Sequence, residues 1–319
     1  MAHFALFGVI RVGISKIFSN HSVRSLHSSV RLLAADKDLL VRLRKKTGFS
    51  FSNCKKALEK FNNSFKEAEA WLQEQAQKEG WAKASKLQSR KAKQGLIGVH
   101  HDGNSAVMVE VNCETDFVAR NATFQELVKQ TALAAMVHHK EKRENLSAYC
   151  KGFLGPSELS QLKCSISGKS LPDQLALTVG KLGENMTLRR AAWVLAPSDC
   201  YIGTYVHGAL PDAAVTSHAT VLFGKYGALV ICQQSAENLR TNLQDIGRKL
   251  GQHVVGMVPL SVGSLEDEPS GESETRMLAQ SFLLDPGITV GQYVQVNNIT
   301  VLDFVRFECG EEIDSAEAT

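Results

Sequence analysis

At 319 residues, with 44% hydrophobic and 22% charged residues, the chain is large enough for two or three domains and has the composition of a globular protein. No apolar run approaches the roughly 20 residues that span a bilayer. Seven scattered cysteines, an odd number with no C-x-x-C pair, argue against a disulfide framework and against a zinc site.

The formal net charge of +3 is unevenly spread. Residues 1–35 hold Arg11, Lys16, Arg24 and Arg31, six serines and no Asp or Glu. That is the composition of a mitochondrial targeting peptide, with cleavage expected near residues 32–45 and the matrix as destination. Residues 36–95 carry 15 basic against 7 acidic residues, and the remainder is net acidic. A basic front suits nucleic acid or an acidic protein surface.

Residues 37–80 read as a three-helix module. Leu40, Leu43 and Thr47 share a face of the first helix, which Gly48 stops. Ser52 is placed to cap the second, with Cys54, Ala57, Leu58 and Phe61 at helical spacing. Ser64 and Glu67 have the spacing of a capping box for the third, whose inner face would be Phe65, Ala68, Leu72 and Ala76. Residues 81–95 read as a basic linker or helix extension.

From residue 96 the period changes to that of strands. Leu96–Val99 and Ala106–Val111 flank Asp102-Gly103, a hairpin signal. Val107, Val109 and Val111 alternate with Met108 and Glu110, predicting a half-buried strand. Thr123 and Glu126 predict a capping box for a helix with Phe124, Leu127, Val128, Thr131 and Ala135 inside. Asp173–Leu182 reads as helix, whereas Ser157–Ser170 shows no period. A second block repeats the order loosely. Ile202-Gly203 matches Ile97-Gly98, strands Thr220–Phe223 and Ala228–Ile231 flank a turn at Gly224–Gly227, and a helix with Leu239, Leu243, Ile246 and Leu250 inside follows. Asp285-Pro286-Gly287 reads as a turn and Val301–Phe307 as a closing strand. The expected fold class is α+β, with core subdomains at 96–185 and 186–312 and an acidic tail at 313–319.

Chemical signatures are sparse. Gly168-Lys169-Ser170 ends like a phosphate loop, but Lys163 stands where the opening glycine belongs. His100-His101 and His138-His139 lack the glutamate spacing of a zinc protease, and no Ser or Cys sits in a nucleophile elbow. No cofactor, no direct nucleotide binding and no enzymatic reaction are therefore expected, which leaves binding. His207 in Tyr205-Val206-His207-Gly208 reads equally as a contact residue or an ordinary strand-terminal histidine. Asp116-Phe117 sits between a strand and a helix, where functional residues are often placed. On local sequence alone Phe117 reads more readily as a buried hydrophobic staple than as a projecting wedge.

Glu110-Val111-Asn112-Cys113-Glu114-Thr115-Asp116-Phe117-Val118-Ala119-Arg120 resembles, position for position, a signature of the translation elongation factor Ts family. Leu43-Arg44-Lys45-Lys46-Thr47-Gly48, continuing through Asn53–Leu58, resembles the family's other signature. Gly183-Glu184-Asn185 before Arg189-Arg190-Ala191, Tyr205–Gly208, Thr289–Gln292 and Phe304–Gly310 follow in the family's order. With the targeting peptide, the resemblance over residues 37–312 is to the mitochondrial form. It implies a ubiquitin-associated-like three-helix module and a core of two related α+β subdomains. It also implies a guanine-nucleotide exchange factor for the GTPase elongation factor Tu. Thr115, Asp116, Phe117 and Val118 would then disturb the partner's magnesium ion, with Lys55, His207 and Gly208 as candidate further contacts. No membrane or nucleic-acid partner is implied. The alternative from charge is an RNA- or ubiquitin-like-fold-binding module using the basic helices. Two departures stand out: no heptads match the coiled-coil insertion of bacterial members, and Asn53 occupies a position often acidic in the family.

Overall fold

The computed structural model describes residues 35–47, 49, 51–140, 146–164, 168–208, 221–234 and 242–312. The targeting peptide apart from Ala35, the Gly48 stop, Thr220, Leu239 and the acidic tail lie outside these residues.

Three helices open the fold. α1 (Lys37–Thr47) starts where the Asp36 carboxylate accepts the backbone N–H groups of Asp38 and Leu39. α2 (Phe51–Lys60) already contains Ser52, so Ser52 is a helical residue and not the cap. α3 (Phe65–Leu87) follows Ser64, but the Ser64 side chain makes no capping hydrogen bond and the expected capping box is not formed. The predicted inner faces meet around Leu43, Cys54, Ala57, Leu58, Ala68 and Leu72, all buried. α3 runs seven residues into the segment read as linker, which shortens that linker to the few residues before the first strand.

The core is four layers deep. β1 (Gln94–Asp102) and β2 (Ser105–Cys113) form the expected hairpin, turning through Gly103 at a φ of 61°. They lie inside a five-stranded sheet ordered β3 (Cys150–Leu154), β4 (Met186–Leu195), β2, β1, β6 (Val221–Gly224). A second sheet is ordered β10 (Ile299–Glu308), β7 (Tyr226–Gln234), β5 (Cys200–His207). One face of the first sheet packs Val107, Val109 and Val111 against α5 (Ala122–Lys140) and α7 (Leu171–Leu182). Its other face packs Ile97, Met108 and Val194 against Ile202, Leu229 and Val305 of the second sheet. The second sheet in turn buries Ala228 and Val230 under Leu250 and Val254 of α8 (Leu243–Met257). β2 is therefore buried along its whole length and not half-buried, because helices lie on one side of it and a sheet on the other.

Two boundaries differ from the sequence reading. β4 pairs with β2 from Ser105↔Leu195 to Cys113↔Met186, so a division at residue 185/186 would cut the first sheet. The strands around Gly224–Gly227 do not form a hairpin. β6 pairs with β1 and β7 with β5 and β10, and the chain changes sheets at Lys225. The internal likeness persists in a different pairing, β1–β2–α5 beside β5–β7–α8. In both, the Ile of Ile-Gly enters the core between the sheets and the Gly faces its own helix. A Cβ on Gly98 would lie 2.7 Å from Val128, and one on Gly203 2.5 Å from Gly247.

Smaller elements complete the fold. α6 (Pro156–Leu159) orders part of the segment that showed no period. Asp285 opens β9 (Asp285–Thr289), paired with β8 (Ser281–Phe282), so the turn falls at Leu283 and Leu284, two residues earlier than expected. Thr289 and Gln292 then form a capping box for α9 (Val290–Val296). No described helix is long and apolar enough to cross a membrane.

Candidate functional site

β2 delivers the chain to the surface at Cys113 and Glu114. The next residues form a single helical turn, α4 (Asp116–Ala119), and not an open loop. Thr115 is its N-cap: the Thr115 hydroxyl accepts from Val118 N at 3.3 Å. Beyond it, Asn121 Oδ1 accepts from Thr123 N at 2.8 Å. Because α5 begins at Ala122, that bond takes the place of the expected Thr123–Glu126 box.

α4 is held on one side only. Val118 and Ala119 are buried against β1, β2 and the start of α5, whereas Phe117 is 81% exposed. A staple would hide the ring; here Val118 takes the inward position and Phe117 projects. Asp116 pairs with Arg120 at 3.2 Å, both well exposed, a weak contact in water.

The base of the turn is tied by a reciprocal pair of glutamates. Glu184 accepts Thr115 N at 3.1 Å on one oxygen and the Thr115 hydroxyl at 2.7 Å on the other. Glu114 accepts Asn185 N at 2.7 Å, and the Asn185 amide donates to Arg90 O at 2.7 Å. Burial, with the nearby Glu184 charge adding to it, pushes the Cys113 thiol up to about 12. It stays protonated and donates to Thr115 O at 3.1 Å, a structural thiol with no nucleophilic character.

Behind the turn lies a buried charge cluster joining the two sheets. Glu110, with no exposed surface, accepts from Arg189 at 2.8 Å, Arg190 at 2.7 Å and Gly310 N at 2.7 Å. Arg190 continues to Glu311 at 2.5 Å and lies 4.0 Å over the Phe307 ring. Glu311 also takes Arg306 at 3.0 Å.

The other sequence candidates sit on separate elements. Lys55 is exposed on α2, 3.7 Å from Glu59. His207 is exposed at the end of β5, its Nδ1 3.2 Å from the Tyr205 hydroxyl, and Gly208 turns the chain at a φ of 69°. Tyr205, His207, Tyr226, Val258, Arg306 and Glu308 line part of a cleft of about 450 Å³. Nothing in the local sequence marks Glu114 and Glu184 as partners of this turn. Both lay inside recognised motifs, but only the antiparallel β2–β4 pairing shows that the two motifs meet.

Residues 23–82 match the family described as "Elongation factor Ts, mitochondrial, N-terminal", and residues 114–271 match "Elongation factor TS". The chain belongs to the elongation factor Ts family, which makes translation elongation its process. A relative from Xenopus laevis named "Elongation factor Ts, mitochondrial" is 62% identical over 305 residues, covering 96% of this chain and 96% of its own length. The Homo sapiens protein of that name is 61% identical over 285 residues, covering 89% and 86%. That from Bos taurus is 56% identical over 311 residues, covering 97% and 90%. The chain is accordingly mitochondrial.

Proposed function

We propose that this chain is the guanine-nucleotide exchange factor of mitochondrial elongation factor Tu, working in the matrix by protein–protein contact. It makes and breaks no covalent bond. The observation that carries the reading is the geometry of Phe117, a large apolar ring in solvent on a turn whose next two residues are anchored. A free wedge of that kind has a use when a partner is present, since exposed apolar surface costs free energy otherwise. Magnesium requires near-octahedral coordination and bridges nucleotide phosphates. Pressing Phe117 against the elements that hold this geometry in the GTPase weakens metal and GDP together, so that GTP can bind. Asp116 at the start of the turn offers a carboxylate to the same surface. His207, Gly208 and Lys55 extend the contact over the second sheet and the basic helices. The coupling is reciprocal: GDP loosens this factor from the GTPase by the same factor that this factor loosens GDP.

The test uses the purified GTPase loaded with fluorescent GDP and catalytic amounts of the full chain. The Phe117→Ala/Asp116→Ala double variant is expected to slow GDP release by at least about tenfold, the kinetic equivalent of roughly 1.4 kcal/mol. Release at the wild-type rate would remove the wedge mechanism.

A further inference from the structure

We propose that Glu184 is a positioning residue for exchange, fixing the direction in which Phe117 projects; this rests on the wedge reading above. α4 is one turn long, and a helix that short does not hold itself in water. Its inner side is held by the burial of Val118 and Ala119, and burial is non-directional, so it specifies depth better than rotation. The rotation is set at the N-terminal end. There the Thr115 hydroxyl does two things at once: it accepts Val118 N at 3.3 Å and donates to Glu184 Oε1 at 2.7 Å. Thr115 N donates to the second oxygen of the same carboxylate at 3.1 Å. One side chain therefore grips both the backbone and the cap of the turn, and bidentate acceptance defines a plane as well as a distance.

Glu184 is itself fixed. α7 ends at Gly183 in the left-handed region, φ 78°, with Gly183 N bonded to Val179 O. The next residue, Asn185, is buried and bound through its backbone to Glu114 and through its amide to Arg90 O. Glu114 reaches across to residue 185 while Glu184 reaches back to residue 115, so the two strand ends hold each other. Glu184 touches neither nucleotide nor metal in this scheme. It acts through Thr115.

The experiment compares Glu184→Ala and Glu184→Gln in the full chain. GDP release from the loaded GTPase is measured against factor concentration, together with amide hydrogen exchange over Thr115–Val118. Glutamine keeps an acceptor for Thr115 N and offers an amide N–H to the Thr115 hydroxyl, so it preserves the geometry without the charge. Glu184→Ala is expected to lower the maximal release rate about tenfold, while the half-saturating concentration changes by less than about threefold. Glu184→Gln should recover most of that rate. Amide exchange over Thr115–Val118 should rise about tenfold in the alanine variant, the scale of one hydrogen bond of ordinary net strength. A merely structural role would lower both variants' folded fraction and shift apparent saturation, leaving the maximal rate of folded protein unchanged.

Glu184→Ala with a wild-type maximal rate, or with unchanged amide exchange, would overturn the proposal. If the Phe117 variant exchanges normally, the wedge reading fails first, and the amide-exchange arm still decides whether Glu184 holds the turn.

Discussion

Glu110 has no exposed surface, and its carboxylate accepts four hydrogen bonds, from Arg189, Arg190, Asn112 Nδ2 and Gly310 N. Its carboxylate is stable there only because Arg189 and Arg190 are delivered opposite it by β4. Removing Glu110 takes from Arg189 its carboxylate partner and leaves Arg190 with Glu311, at a cost of about 3–5 kcal/mol. Glu110→Ala is therefore expected to lower the urea-unfolding free energy by that amount; a loss under about 1 kcal/mol would mean that the arginines re-pair with Glu308 and Glu311. At this scale the sequence was informative about type and poor about environment. Alternation put Glu110 on the wet face of a half-buried strand, because periodicity within one strand carries no information about a second sheet. Phe117 shows the same limit. Its local pattern favoured a staple, and the ring is outside because Val118, one residue later, fills the inward position.

α3 and α7 cross with their backbones nearly touching. A Cβ on Gly80 would lie 1.9 Å from Ala176 O, and one on Gly180 2.7 Å from Ala76 O. Glycine to alanine within a helix ordinarily stabilises by about 1 kcal/mol. Here the sign should reverse, with Gly80→Ala costing about 1–3 kcal/mol through overpacking; thermal unfolding of the full chain checks it, and a raised Tm would show that the helices part without penalty. This crossing seats the basic helical module on the core and connects it, through the end of α7, to Glu184. The helices themselves were legible from spacing: the buried faces of α1, α2, α3 and α5 are those that the i, i+3, i+4 pattern picked out, with Phe61 and Phe65 half-buried at the rim. Caps were less legible. Ser52 and Ser64 have the right chemistry at nearly the right place, but α2 starts one residue before the first and the second keeps its hydroxyl off the backbone. Strand partners were the least legible, since β6 and β7 are adjacent in sequence and belong to different sheets.

The stability of the whole fold has a pH dependence that one residue makes measurable. His253 on α8 is fully buried; its Nδ1 accepts Leu283 N at 3.2 Å, so Nε2 bears the proton and donates to Gln280 at 3.0 Å. Burial pulls its pKa down to about 4, against the partial opposition of the Gln280 contact. The unfolded chain, with an ordinary value near 6.5, binds the proton first. Between pH 6.5 and 4 the unfolded state therefore holds more protons, and stability falls as pH falls. The contribution is whole above about 6.5 and is lost by about 4, amounting to roughly 3 kcal/mol. His253→Gln should flatten that part of the pH profile of urea unfolding relative to wild type; parallel profiles would show that His253 titrates normally.

The change of sheet at Lys225 has a consequence for the newborn chain. The β1–β2 hairpin is apolar on both faces, and synthesis completes it long before its neighbours exist. β6 closes its edge only after residue 224, and the second sheet covers its far face only once β5 and β7 have been made. Glu110 gains its last backbone donor with Gly310. The apolar hairpin is therefore made well before the strands that pair with its two edges, β4 and β6, and its edges stay open during that interval, when unpaired strands are most prone to aggregate.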